Sequence, residues 1–133
     1  MALEGDAARL AALRRTDEQL KKIADAHAAF ADSLTHGQVS PEADLAFHAS
    51  IAEASGNDFY LGVLESIHES INGFMRLTLS LTRTGSRQRA QRVVDEHATI
   101  LDSIREQDSE RARVAMQFHL GQARHRLVDR ERD

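Results

Sequence analysis

The sequence has 133 residues, which suits one domain and leaves little room for two. Hydrophobic residues make up 41% and are almost all aliphatic, with no Trp, one Tyr and one Pro, a composition that favours helices over strands and tight turns. The formal net charge is -4 and there is no cysteine, which speaks against a broad phosphate-binding face and excludes disulfides, thiolate metal sites and cysteine nucleophiles together.

The first predicted helix covers about residues 4–14, with Leu10 and Leu13 on one side. Thr16 and Gln19 have the spacing of a capping box, opening a second helix that runs to about Leu34. Its apolar set is Leu20, Ile23, Ala24, Ala28 and Phe30, and His36-Gly37 ends it. His27 and His36 fall on or near a helix end and are expected to be exposed. Ser40-Pro41 is the clearest start in the chain, because Ser caps and Pro fits a first-turn position whose N–H has no partner anyway. This third helix holds Leu45, Phe47, His48, Ile51 and Ala52 and ends at Gly56. Asn57 or Asp58 caps a long fourth helix with a stripe of Leu61, Leu64, Ile67, Ile71, Phe74, Met75 and Leu79, broken at Gly85-Ser86. A fifth helix carries Val93, Val94, His97, Ile100, Leu101 and Ile104. Asp108 caps a sixth, with Ala112, Ala115, Met116, His119, Leu120 and Leu127 inward.

Periodicity near 3.6 throughout and short connectors predict an all-α fold, an antiparallel bundle of about six helices spanning residues 1–133 as one domain. No apolar run approaches the ~20 residues of a membrane span, and the first residues lack signal-peptide character, so a cytoplasmic location is expected. Arg83, Arg87, Arg89 and Arg92 read as a solvated helix start rather than a nucleic-acid patch.

Four residues stand out for chemistry. Asp44 and His48, four apart, share one face of the third helix, and His97 and His119 sit inside the apolar stripes of the fifth and sixth. A bundle can bring those faces together, and a carboxylate with three imidazoles is a ligand set for a divalent transition metal. Four such ligands close a tetrahedral site, and a six-coordinate ion would keep two positions for water or a small anion. The competing reading makes each histidine a core residue satisfied by hydrogen bonds, and the Asp44–His48 pair a salt bridge; both readings stand at this level. His68, Asn72 and Arg76, at four-residue intervals, read either as a polar solvent-facing stripe or as a pocket wall with a guanidinium for a carboxylate. No phosphate-binding glycine loop and no nucleophile elbow is present, and Glu53, Glu65, Glu69 and Glu96 carry little weight as acids or bases on helix surfaces.

The ordered combination Asp44-x-x-Phe47-His48, Ser55-Gly56-Asn57, Glu96-His97 and His119-Leu120 resembles the FadR C-terminal domain, FCD, of GntR-type bacterial transcription regulators, over nearly the whole chain. The resemblance implies a helical bundle that binds a small effector, often a carboxylic acid, in a central cavity, with a metal on its floor in many members. Carried over position by position, the ligands are Asp44, His48, His97 and His119, with Zn or Ni the expected ion. Arg76, Asn72 and His68 become effector contacts. About six helices place the chain nearer the VanR-like branch. The resemblance also implies a homodimer. The family's winged helix-turn-helix has no counterpart in these 133 residues, so operator DNA is expected to be bound by that missing domain and not by this one. The leading expectation is therefore a sensing and dimerisation module that is not an enzyme. A metal-dependent enzyme on a helical bundle and a metal-free dimerisation module are the alternatives.

Overall fold

The computed structural model describes residues 2–35, 40–66 and 86–132. Its helices are α1 (Ala2–Arg14), α2 (Asp17–Thr35), α3 (Pro41–Ala54), α4 (Asp58–Ser66), α5 (Ser86–Arg105) and α6 (Ser109–Arg132), and the described residues contain no strand. The fold is the expected all-α bundle. Leu61 and Leu64 of the expected long fourth helix lie in α4; its continuation through Leu79 lies outside the described residues, as do His36-Gly37 and Gly85. The helix count behind the VanR-like expectation runs through those same positions.

Helix boundaries follow from cap chemistry. The Gln19 N–H donates to Thr16 Oγ1 at 3.1 Å while the Thr16 N–H donates to Gln19 Oε1 at 2.9 Å, the reciprocal capping box expected there. Ser40 caps α3 in extended conformation and accepts from the Ala43 N–H, with Pro41 in the first turn. Gly56 closes α3 at φ 74°, a left-handed conformation that costs glycine nothing. Asn57 Oδ1 then accepts from the Tyr60 N–H, and Asp108 Oδ1 from the Arg111 N–H. Between α5 and α6 the Asp108 N–H donates to the Ser103 carbonyl and the Gln107 N–H to that of Ile104, a Schellman closure with Gln107 at φ 57°.

α1 packs on α6 and α3, α3 on α2, α2 on α5, and α5 on α6, so five helices close a ring, with α4 carried on α3. The main cluster inside it includes Ile23, Phe47, Ile51, Ile100, Ile104 and Met116, and a smaller one holds Ala7, Ala52, Tyr60 and Leu64. Two expectations are corrected. The buried face of α1 is Ala7, Ala8, Ala11 and Ala12, while Leu10 is half-buried and Leu13 exposed; small side chains let α1 lie close to its neighbours, where leucines would hold it off. Gly5 marks the same closeness, because a Cβ there would stand 3.1 Å from Gln117 Cγ. Ala28 of α2 is exposed, off the stripe that Ile23 and Phe30 define. At the far end of α1, Arg14 Nη1 donates to the Ser55 carbonyl and Arg15 Nη2 to the Arg105 carbonyl, so adjacent arginines meet the C-terminal ends of α3 and α5. No described helix is long and apolar enough to cross a membrane.

Candidate functional site

Three helices of the ring send titratable side chains to one buried point. Asp44 and His48 come from α3, one turn apart, His97 from α5 and His119 from α6; one donor atom from each lies within 4.8 Å of all the others. His97 Nε2 stands 3.2 Å from His119 Nε2 and 3.1 Å from Asp44 Oδ1, and His48 Nε2 stands 3.5 Å from the same oxygen. These separations match the ~3.3 Å between neighbouring donors around an ion with bonds of about 2.0–2.1 Å. His97 is fully buried and His48 and His119 nearly so. Asp44 Oδ1, His48 Nδ1 and His97 Nδ1 are buried without a hydrogen-bond partner, although charged and polar groups surround them. Buried polar atoms are normally satisfied, and Asp44 Oδ1, which faces the Nε2 atoms of His48 and His97, fits an ion as its missing partner; the two Nδ1 atoms lie on the far sides of their rings. The four residues could hold a metal ion, and imidazole and carboxylate suit a divalent transition metal without selecting which one.

The surroundings fix the rings. Phe47 stacks on His97 at a centroid distance of 4.2 Å and an interplanar angle of 18°, with Phe30 4.8 Å away on a tilt. His48 and His119 lie stacked at 5.4 Å, and both meet His97 edge-on. His119 Nδ1 is 2.8 Å from Glu96 Oε1, so the N–H donates to the carboxylate and leaves the Nε2 lone pair facing the cluster. His48 Nδ1 is 3.7 Å from Glu4 Oε1.

Charge follows from this packing. Burial pushes the Asp44 carboxyl up, but the positive charge of His48, with His97 beside it, outweighs this and holds it well below the usual carboxylate range. Burial acts to lower His48, and Asp44 and then Glu4 overcome it, raising the imidazole to about 9. His97 is lowered to about 4, chiefly because burial disfavours its charged form. The metal-free pocket is therefore an ion pair, Asp44 with His48, beside a neutral His97.

The sequence pattern thus brings Asp44, His48, His97 and His119 together, while His68, Asn72 and Arg76 lie outside the described residues. Three groups near the site were missed or undervalued. His27, expected to be exposed, is half-buried in the middle of α2, with its ring 6.0 Å from Phe47 and 6.4 Å from His97. Burial lowers its pKa and leaves Nδ1 without a partner. It lies four residues after Ile23 and three before Phe30, a spacing that puts it on the buried stripe. Glu96 belongs to the stripe of Val93 and Ile100, and Glu4 heads the alanine face of α1; both carry the same signal, weakened because surface glutamates are so common. The solvent side of Glu96 opens on a groove of about 230 Å³ lined by Asp95, Thr99, Ala115 and Phe118.

Comparison with known proteins identifies the family of the fold. The FCD domain family matches residues 1–122. The HTH-type transcriptional regulator LutR of Bacillus subtilis is 30% identical over 118 residues, covering 89% of this chain and 54% of LutR. The HTH-type transcriptional repressors NanR of Salmonella newport and of Escherichia coli K12 are each 26% identical over 117 residues, covering 88% of this chain and 44% and 43% of those proteins. The chain spans about half the length of the curated relatives it matches, and these relatives are named as transcription regulators, not enzymes. With its helical ring and its matched length, the chain belongs to the FCD domain family, the effector-binding domain of GntR-type transcription regulators.

Proposed function

We propose that residues 1–133 form the sensing and dimerisation module of a GntR-type regulator, reading a small organic acid through a divalent transition metal, Zn or Ni, held by Asp44, His48, His97 and His119. The observation that carries this is the convergence of one donor atom from each of Asp44, His48, His97 and His119 within 4.8 Å, with Asp44 Oδ1 buried and unpartnered among them. Bound there, the ion supplies Lewis acidity and positive charge for docking a carboxylate. Asp44 offsets part of the ion's charge, the imidazoles orient it, and Phe47 and Phe30 shield the His97 side from water. His68, Asn72 and Arg76 complete the proposal as effector contacts, with the guanidinium pairing the acid. Effector binding shifts the geometry of a cytoplasmic homodimer, and the winged helix-turn-helix of the full regulator carries that shift to operator DNA.

The test is elemental analysis of untagged protein purified without chelator, beside His119→Ala. About one equivalent of transition metal, lost in the variant, is expected. A panel of small organic acids is then expected to raise the thermal midpoint of metal-loaded protein and leave metal-free protein unmoved. No metal in the wild type and none taken up from added Zn or Ni would reject the centre; an equal shift in metal-free protein would reject the metal as docking point.

A further inference from the structure

A metal centre is only as well oriented as the groups behind its ligands, and two carboxylates stand behind this one without belonging to the ligand set. A neutral imidazole has a single N–H. When Nε2 binds an ion, Nδ1 must carry the proton, and a buried Nδ1–H needs an acceptor. His119 of α6 has one in place: Glu96 of α5, at 2.8 Å, with only 10% of its side chain exposed. His48 of α3 has one within reach: Glu4 of α1, at 3.7 Å, side chain 12% exposed. The His48 Nδ1 makes no hydrogen bond at this distance, and ~1 Å of side-chain movement would complete it. Glu4 also lies against the buried Tyr60 of α4, whose phenol is raised by burial first and then by the Glu4 charge. Withdrawing two glutamates from water toward a pocket that already contains Asp44 is unfavourable unless something nearby answers their charge. A dication held by the imidazoles would answer it, with each Nδ1–H as hydrogen-bond donor.

We propose that Glu96 and Glu4 are positioning residues of the metal centre, fixing His119 and His48 as Nδ1–H tautomers with Nε2 turned to the ion. Through Glu4 the ion is linked to α1 and, by way of Tyr60, to α4. This inference rests on the metal reading above and adds to it two residues that touch no metal. It also makes α1 a structural part of the centre, although α1 supplies no ligand.

The experiment measures Zn affinity by chelator competition for the wild type, Glu96→Ala, Glu96→Gln, Glu4→Ala and Glu4→Gln. Thermal midpoints of the metal-free forms and long-range 1H–15N imidazole spectra of the Zn-loaded forms accompany it. Glu96→Ala is expected to bind Zn about 10–100-fold more weakly, the usual effect of removing such a partner. Glu96→Gln keeps an oxygen that accepts from His119 Nδ1 and is expected to recover most of that loss. Glu4→Ala is expected to show a smaller loss than Glu96→Ala, since its contact is longer, and Glu4→Gln to recover it. The wild-type spectrum is expected to show His119 with its proton on Nδ1, strongly hydrogen-bonded, and the Glu96→Ala spectrum to lose that signature. Glutamine variants with wild-type metal-free midpoints separate positioning from folding. Wild-type Zn affinity in both alanine variants, or equal losses for alanine and glutamine, would overturn the positioning role and leave the metal centre standing. Failure of the wild type itself to bind Zn would overturn both.

Discussion

His48 and His97 are shifted in opposite directions, and that predicts how metal-free protein responds to pH. His97 is lowered from 6.5 to about 4, mainly by burial. The unfolded chain therefore takes up a proton that the folded chain refuses, and stability is lost as pH falls through 6.5 toward 4. His48 is raised from 6.5 to about 9, with burial opposing and Asp44 and Glu4 prevailing. Its contribution is fully present below 6.5 and is lost as pH rises through 9. The two windows meet, so the thermal midpoint of metal-free protein is expected to peak near pH 6.5. Zn-loaded protein has already released the His48 proton, so the decline between pH 6.5 and 9 should vanish. A scan of thermal midpoints from pH 4 to 9.5, with and without Zn, checks this; a flat metal-free profile would contradict it. Phe47, stacked on His97, offers a second test at this scale. Phe47→Ala should cost ~3–5 kcal/mol by denaturant unfolding through the cavity it leaves, and added Zn should restore part of the loss by binding the folded state alone.

At the scale of the helices, the connection from α5 to α6 sets the spacing between His97 and His119. Its one unfavourable feature is Gln107 at φ 57°, where a side chain costs roughly 1–2 kcal/mol relative to a glycine free of that strain. Gln107→Gly should raise unfolding free energy by ~1 kcal/mol with Zn affinity unchanged, measured by urea unfolding and chelator competition. Arg15 works in the other direction. Its guanidinium donates to the Arg105 carbonyl at 2.8 Å and lies 2.9 Å from Asp17, largely buried itself at 12% side-chain exposure. It places a cation at the C-terminal end of α5, and Arg15→Ala should lower stability by ~1–2 kcal/mol, read from the same unfolding curves.

For the whole molecule, the closed ring explains why candidate ligands on three helices can meet. α3 and α6 do not adjoin in sequence, yet α1 packs on both and holds them in one circuit. α1 can do so because its inner face is alanine, close enough to set Glu4 beside His48. Ala8→Leu is accordingly expected to cost ~1–3 kcal/mol by overpacking and to weaken Zn binding by moving α1 outward, whereas a leucine at the exposed Ala28 should do neither.

The sequence by itself determined the all-α bundle, the caps of its described helices and the four residues of the buried cluster. Thr16-Gln19, Ser40-Pro41, Gly56-Asn57 and Asp108 are local signals whose hydrogen bonds close within a few residues, and they appear where local chemistry puts them. Asp44 and His48 were legible from a four-residue spacing, and His97 and His119 from being polar on apolar stripes. Tertiary structure decided what those stripes face. Periodicity gives a residue's face on its own helix, but carries nothing about which helix lies opposite. So Glu4, Glu96 and His27, each on an inward face, gained meaning only when the ring set them behind the four donors. The alanine face of α1 was passed over for the same reason: a weakly hydrophobic stripe looks unimportant until a close neighbour shows that its value lies in its small size.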